Sequence, residues 1–245
     1  MQRCLFGVLI SLVFYVMSFN ASAKDAVLTA HNSNGSDISY LITFRGEEYE
    51  GLHPRFVTLA MPGGNGVLEP RIAFGQIDML AKNNFLIRSR SLFADTDFVA
   101  ASTDASSNPE RVQAIVDDLH QRFGAQTQIY LVGTSRGTLA TMALSEPLDG
   151  KVAGFVHTSS MSSIARFDTR SFKSRHLIVH HLQDGCRVTQ LSAVQNNHEK
   201  FSTPLILMDG GNSVGDPCQA MAFHGYHEIE KETIDKIKDW IRQAP

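Results

Sequence analysis

Two patterns of apolar residues alternate along most of the chain, and each predicts a different element of secondary structure. Several short segments are largely apolar without interruption, as is typical of β-strands covered on both faces. These segments are residues 56–61, 97–102, 128–132, 152–157, 176–180 and 204–208. Nearer the start, residues 26–30 and 38–44 are also predicted strands. The turn-rich sequence of residues 32–36 between them favours an antiparallel hairpin.

The second pattern is helical, with apolar residues recurring every three or four positions. Ser107 or Asn108 is predicted to cap a helix that has Pro109 at its first position. Its apolar stripe consists of Val112, Ile115, Val116, Leu119 and Phe123. A C-terminal helix should place Ile234, Ile237, Trp240 and Ile241 on one face. Strands that alternate with helices predict an α/β fold, with a mainly parallel sheet, helices on both faces and an antiparallel N-terminal hairpin.

Composition narrows the classes of protein to consider. The chain has 245 residues and is 43% hydrophobic, which is enough to build a full core. With no repeat and no long linker, residues 24–245 are predicted to form a single domain. The formal net charge is −3, and the sequence has no Lys/Arg-rich run, so we expect no nucleic-acid partner. The ten histidines show no metal-binding spacing, and no cofactor motif is present, so neither a metal nor a cofactor is expected.

The first 23 residues are predicted to be a signal peptide. Arg3 precedes an apolar run over residues 4–19, and Ala21-Ser22-Ala23 is a suitable cleavage site. An uncleaved anchor is the alternative. Cleavage predicts a secreted or periplasmic protein with no remaining membrane span. It also leaves two cysteines, Cys186 and Cys218, which in an oxidising compartment are expected to form a disulfide rather than two buried thiols.

Residues 133–137, Gly-Thr-Ser-Arg-Gly, form the motif with the clearest chemistry. They follow the predicted strand 128–132 and precede a segment rich in helix-forming residues. A G-x-S-x-G sequence between a strand and a helix is typical of a nucleophile elbow, in which glycines permit a sharp turn at the serine. Ser135 is therefore the candidate nucleophile.

A serine nucleophile needs a base and an orienting acid, and both candidates follow later strands. Asp184 comes after the strand 176–180, and His224 lies in the long loop after the last strand. The order Ser135, Asp184, His224 matches that of a hydrolase triad. Asp168 remains open as an alternative acid and His227 as an alternative base. The adjacent His180 and His181 face opposite sides of a strand and are interpreted as structural.

Four segments together resemble the α/β-hydrolase superfamily, in particular its secreted, esterase-like serine hydrolases. They are residues 62–66 (Pro-Gly-Gly-Asn-Gly), 133–137, 184–186 (Asp-Gly-Cys) and 224–226 (His-Gly-Tyr). The resemblance covers nearly all of residues 24–245. Residues 62–66, called the glycine-rich loop below, lack the preceding His found in many lipases and esterases, which weakens assignment to those subfamilies. Fewer than about 20 residues separate the strands 152–157 and 176–180, so no large cap domain is expected.

An oxyanion hole needs backbone N–H groups near the nucleophile. The amide of Arg136 and that of either Gly64 or Asn65 are the candidates. A Cys186–Cys218 disulfide would tie the acid to the base. Arg88 and Arg90 either reach an acidic substrate group or, as is more usual for such arginines, lie on the surface or form ion pairs.

The predicted reaction is hydrolysis of an ester-like acyl bond in a small molecule, through an acyl-enzyme. The sequence leaves an ester, amide, peptide, thioester or lactone open as the bond that is cleaved. The alternatives are a peptidase or amidase of the same fold and a secreted binding protein without turnover.

Overall fold

A computed structural model describes residues 22–243, in which eight strands form one sheet. The predicted signal peptide lies almost wholly outside the described residues. In chain order the strands of the sheet are β1 (Ala23–His31), β2 (Asp37–Arg45), β3 (Phe56–Met61), β6 (Phe98–Ser102), β7 (Gln128–Thr134), β8 (Gly154–Thr158), β9 (Arg175–His181) and β10 (Leu205–Met208). A separate two-stranded ribbon consists of β4 (Arg71–Ala73) and β5 (Gln76–Asp78).

The order of strands across the sheet is β1-β2-β6-β3-β7-β8-β9-β10. β1 pairs with β2, and β2 with β6, in antiparallel fashion, whereas every pairing from β6 to β10 is parallel. The predicted mainly parallel sheet with an antiparallel N-terminal hairpin is therefore confirmed. β7, which precedes residues 133–137, lies near the middle of the sheet, between β3 and β8.

Helices cover both faces of the sheet, as predicted. They are α1 (Phe85–Arg88), α2 (Arg90–Phe93), α3 (Pro109–Phe123), α4 (Gly137–Leu144), α5 (Leu191–Phe201) and α6 (Glu230–Arg242). The apolar side chains of α3 and α4 pack in one cluster with Val57 and Leu59 of β3. Those of α1, α2 and α6 pack in another with Phe56 and Ala60 of the same strand, which point to the opposite face.

α3 and α6 occupy the segments whose apolar periodicity predicts helices, and α4 follows residues 133–137, where a helix is also expected. Asn108 caps α3, since its side-chain oxygen accepts hydrogen bonds from the backbone N–H groups of Glu110 and Arg111, at 2.9 and 3.1 Å. In α6, Ile234, Ile237 and Ile241 are buried. The ribbon β4–β5, the short helices α1 and α2, and α5 carry weaker patterns and were not predicted.

Residues 159–174 contain only a short 3-10 helix, Ser162–Arg166, so no separate cap domain lies between β8 and β9. Within residues 22–243, no helix is long and apolar enough to cross a bilayer.

Candidate active site

Residues 133–137, called the elbow below, form a tight turn between β7 and α4. Ser135 has a φ of 52°, a left-handed conformation that costs a non-glycine residue about 1 kcal/mol or more. A Cβ on Gly133 would lie 2.6 Å from the carbonyl oxygen of Gly137, and one on Gly137 would collide with the carbonyls of Met61 and Pro62. The turn therefore requires glycine at both positions, as the motif predicts.

Hydrogen bonds hold the backbone of Ser135 on both sides. Its N–H donates to the carbonyl of Thr158 on β8, at 3.0 Å. Its own carbonyl accepts from the backbone N–H and the hydroxyl of Thr138, at 2.9 and 2.6 Å. These bonds tie the elbow to the neighbouring strand and to the first turn of α4. Ser135 itself stays half-buried at the carboxyl end of the sheet.

Asp184 lies in the loop of residues 182–190 that follows β9, called the acid loop below. One carboxylate oxygen accepts from the backbone N–H of Cys186, at 2.9 Å. The other accepts from the hydroxyl of Thr189 and lies 3.0 Å from Nδ1 of His224. Burial raises the pKa of Asp184, but the hydrogen bonds from His224 and Cys186 lower it by more, so the pKa lies below its ordinary 3.8. Asp184 is therefore a carboxylate at neutral pH.

His224 lies in the loop of residues 209–227 that follows β10, called the base loop below. The 3-10 helix Phe223–Gly225 holds it, and it is almost fully buried. Its carbonyl accepts a hydrogen bond from the hydroxyl of Ser159, at 2.7 Å. The hydroxyl of Tyr226 accepts from the backbone N–H of Ser159 and donates to the carbonyl of Val179, at 3.0 and 2.8 Å. The base loop is thus fastened to the ends of β8 and β9.

Because Nδ1 of His224 faces a carboxylate, it carries the proton, and Nε2 is left as the acceptor. Thr189 supports this arrangement, because its hydroxyl donates to Asp184 and also lies 3.2 Å from Nδ1. An imidazole oriented in this way is able to accept a proton from a hydroxyl.

One cavity of about 420 Å³ brings the candidate residues together. Ser135 and His224 both line it. Their neighbours Thr134 and Gly225 line it as well, and the rest of the wall comes from the glycine-rich loop (residues 62–66), from residues 81–85 and from residues 218–220 of the base loop. Polar and apolar groups share the lining, and the cavity opens to solvent.

The glycine-rich loop approaches Ser135 closely. A Cβ on Gly63 would lie 2.9 Å from the Cβ of Ser135. The N–H of Gly66 bonds the carbonyl of Gly63, at 3.1 Å, and Gly64 has a φ of 67°, so these residues form a tight turn. Gly64 and Asn65 line the cavity, while Arg136 directly precedes the first residue of α4. The three predicted amide donors therefore belong to the two segments that flank Ser135.

The alternative acid and base lie elsewhere. Asp168 is exposed and paired with Arg170, whose hydrogen bonds lower the pKa of that carboxyl to about 2. His227 has its closest carboxylates, Glu228 and Glu230, 3.9 Å away. Neither Asp168 nor His227 lines the cavity.

The contact between His180 and Asp184 was not predicted from the sequence. The Nε2 of His180 lies 3.6 Å from the Asp184 carboxylate, and its ring also interacts with the backbone of Thr189. Burial lowers its pKa to about 4, although Asp184 raises it, so the ring is neutral at pH 7. Its neighbour His181 bonds the carbonyl of Gly210 at 2.9 Å and stacks on Phe223. Strand alternation shows that the two rings point apart, but it does not show what each ring meets.

Cys186 and Cys218 form a disulfide that joins the acid loop to the base loop. The two arginines left open by the sequence are both ion-paired. Arg88 pairs with Glu230, and Arg90 with Asp25. Neither arginine lines the cavity. Within residues 22–243, no cluster of three or more His, Cys, Asp or Glu side chains is arranged to hold a metal ion.

No protein-family model matches the sequence, and no curated protein matches it. Solved structures do resemble it. A lid-less α/β serine hydrolase of Xanthomonas campestris superposes with a TM-score of 0.59 at 10% identity, over 91% of this chain and 97% of its own. The esterase domain of a Rhodothermus marinus protein gives 0.60 at 10%, over 90% and 98%. Oligopeptidase B of Leishmania major gives 0.56 at 9%, over 88% of this chain and 36% of its own. At such identities a likeness establishes the fold alone, and the chain has the α/β-hydrolase fold.

Proposed function

We propose that this protein is a serine hydrolase that cleaves an ester-like acyl bond in a small molecule. One observation carries the proposal. Nδ1 of His224 lies 3.0 Å from a buried Asp184 carboxylate, and His224 shares a cavity with Ser135 at a strained elbow. Backbone strain and a buried carboxylate are costly, and both are typical of sites where they serve a reaction.

In the proposed reaction, Nε2 of His224 removes the proton of the Ser135 hydroxyl as its oxygen attacks the acyl carbon. Asp184 orients the imidazole and stabilises its positive charge. His224 then protonates the leaving group, and an acyl-enzyme remains on Ser135. Water, deprotonated by the same histidine, releases the acid and restores the serine.

The negative oxygen that develops during each attack needs hydrogen-bond donors. We assign this role to the backbone N–H of Arg136 and to that of Gly64 or Asn65. The close approach of Gly63 to Ser135 supports the assignment, because it brings the glycine-rich loop against the nucleophile.

The cavity favours a carboxylic ester of modest size as the substrate. Its volume of about 420 Å³ and its mixed polar and apolar lining suit a compact molecule better than a long acyl chain. We also place the reaction in the periplasm or outside the cell, since a disulfide and a signal-like N-terminus are typical of exported proteins. Sequencing the amino terminus of the exported protein tests this placement, with Lys24 expected first.

The structure offers matched variants for a direct test. A fluorophosphonate probe should label wild-type protein at Ser135 and should not label Ser135→Ala. His224→Gln and Asp184→Asn should lose ester hydrolysis by on the order of 10⁴-fold or more. His227→Gln and Asp168→Asn make the same chemical changes outside the cavity, and both should keep wild-type activity.

Two results would contradict the proposal. Purified wild-type protein that neither reacts with the probe nor hydrolyses a panel of p-nitrophenyl esters, amides and peptides would indicate a binding protein without turnover. Full loss of activity in His227→Gln or Asp168→Asn, with His224→Gln or Asp184→Asn active, would move the base or acid to the alternative residue.

A further inference from the structure

Arg88 makes an unusual set of contacts beside the cavity. It ends α1, and its guanidinium bonds three different parts of the chain. Nη2 donates to the carbonyl of Gly225 at 2.7 Å, and Nη1 donates to that of Asn83 at 2.8 Å. Nε and Nη2 both donate to one carboxylate oxygen of Glu230, at 3.0 and 2.8 Å.

Each of these partners has a place in the proposed site or next to it. Gly225 directly follows His224, and its peptide unit therefore helps to set where the imidazole lies. Asn83 lines the cavity. Glu230 is the first residue of α6, the helix that follows the base loop. One side chain thus fixes the base loop, another part of the cavity wall and the last helix relative to one another.

The bonds of Arg88 are strong for a residue near the surface. The side chains of Arg88 and Glu230 are 19% and 22% exposed, so water only partly screens their charges. Hydrogen bonds from a charged donor are about twice as strong as neutral ones, and the planar guanidinium holds its partners at fixed angles. Four of its five N–H donors are already used, so little capacity remains for a substrate.

We propose that Arg88 is a positioning residue that holds His224 in register with Ser135 through the carbonyl of Gly225. This proposal rests on the function proposed above. Arg88 acts on the base and not on the substrate, so its loss should slow the proton transfers far more than it weakens binding.

Arg90 provides a matched control from the same segment. Its Nε and Nη2 bond Asp25 at 3.2 and 2.5 Å, and its Nη1 bonds the carbonyl of Ile87 at 2.8 Å. Its side chain is 25% exposed, close to the value for Arg88. Asp25, however, is on β1, and none of these contacts reaches the acid loop or the base loop. Losing Arg90 removes a similar ion pair without touching the base.

The test compares Arg88→Gln, Arg88→Lys and Arg90→Gln by ester hydrolysis and thermal unfolding. A displacement of about 1 Å at a reacting group costs on the order of 100-fold in rate. We expect Arg88→Gln to lower kcat by 10- to 100-fold while KM changes less than threefold. Arg88→Lys should recover part of that loss, because its ammonium still donates to carbonyls. Arg90→Gln should lower the melting temperature to a similar extent while kcat stays within threefold of wild type.

A second readout does not depend on turnover. The downfield proton NMR signal of His224 Nδ1–H, bound to Asp184, should shift or broaden in Arg88→Gln and stay unchanged in Arg90→Gln. An inactive wild type would contradict the proposed function but leave this comparison intact. Equal losses of kcat in the two glutamine variants, a change in KM alone, or an unperturbed His224 signal in Arg88→Gln would overturn the positioning role.

Discussion

The elbow and the base loop both line the cavity, and the elbow is held in a different way from the acid and base loops. The shape of the elbow comes mainly from its own residues: two glycines permit the turn, and the carbonyl of Ser135 accepts a hydrogen bond from Thr138, three residues away. The N–H of Ser135 also donates to the carbonyl of Thr158 on the neighbouring strand. The acid and base loops are fixed by partners far along the chain. His224 meets Asp184 across 40 residues, and Arg88 reaches Gly225 across 137.

This difference separates what a short motif encodes from what only the fold supplies. The elbow sits at the end of β7, near the middle of the sheet, where neighbouring strands leave its backbone little freedom. The base loop follows β10, an edge strand, and residues 209–221 are mostly exposed. Long-range bonds there replace the support that the middle of a sheet provides. We therefore expect substitutions to disrupt the elbow by steric conflict. The acid and base loops should instead be disrupted when a single long-range bond is lost.

The largest expected effect is that of Gly137→Ala in the elbow. The added Cβ would collide with the carbonyls of Met61 and Pro62, which belong to backbone and cannot turn away. Overpacking against fixed backbone should destabilise the protein by about 4 kcal/mol or more, with loss of activity. Urea unfolding of the purified variant measures the change.

Gly185→Ala is the counterpart in the acid loop. Its Cβ would lie 3.4 Å from Pro217, an ordinary contact, so the free energy of unfolding should change by less than about 1 kcal/mol. If the two glycine variants were equally destabilised, the distinction between a sterically fixed elbow and tethered loops would be lost.

The same distinction explains how much the sequence predicts. The sheet, α3 and α6 are predictable from local periodicity, because buried strands and buried helix faces impose regular patterns of apolar residues on short stretches of sequence. The elbow follows from five adjacent residues between a strand and a helix. The disulfide was predictable because only Cys186 and Cys218 remain beyond the predicted signal peptide.

Other features of the structure have no local sequence pattern that predicts them. Arg88 and Arg90 look alike in sequence, yet one bonds the base loop and the other bonds β1. His180 reads as an ordinary strand residue, but the turn after β9 brings Asp184 back to within 3.6 Å of it. The ribbon β4–β5 has only three residues per strand, too few to show an alternating pattern. These contacts depend on which segments the fold brings together.

The next largest effect should come from removing the disulfide with Cys186→Ala and Cys218→Ala together. The bridge spans 32 residues, and its loss should cost about 3–4 kcal/mol by releasing the unfolded chain. It also ties the acid loop to the base loop, so kcat should fall as well. Thermal unfolding and ester hydrolysis check both outcomes, with reduced wild-type protein as the control for the substitutions. A variant with wild-type melting temperature and wild-type kcat would contradict the role of the disulfide in stabilising the protein and holding the acid loop to the base loop.

The smallest of the three effects is a pH dependence of the free energy of unfolding, which we expect from His180 beside Asp184. Buried His180 has a pKa of about 4 in the folded protein, against 6.5 ordinarily. Asp184 and His224 are the titratable groups that influence it most, and His181, the next residue on β9, has a smaller effect although its ring points away. As pH falls from 6.5 towards 4, the unfolded chain binds a proton at this position and the folded chain does not. Stability should therefore fall with pH, by about 3 kcal/mol over the whole window for one histidine.

His180→Leu should remove that contribution, so its stability should fall less steeply with pH than that of wild type, by up to about 1.4 kcal/mol per pH unit. His176→Leu is the matched variant, since burial also lowers the pKa of His176 to about 4, at the other end of β9. Both variants should flatten the profile, but only His180→Leu should alter kcat, because only His180 touches Asp184. Urea unfolding between pH 7 and 4.5 stays above the range where Asp184 itself titrates, since the pKa of that carboxyl is below 3.8 and its contribution is lost only at lower pH. A wild-type slope in His180→Leu would show that the ring gains its proton at the same pH in the folded protein as in the unfolded chain, and would contradict a pKa lowered by burial.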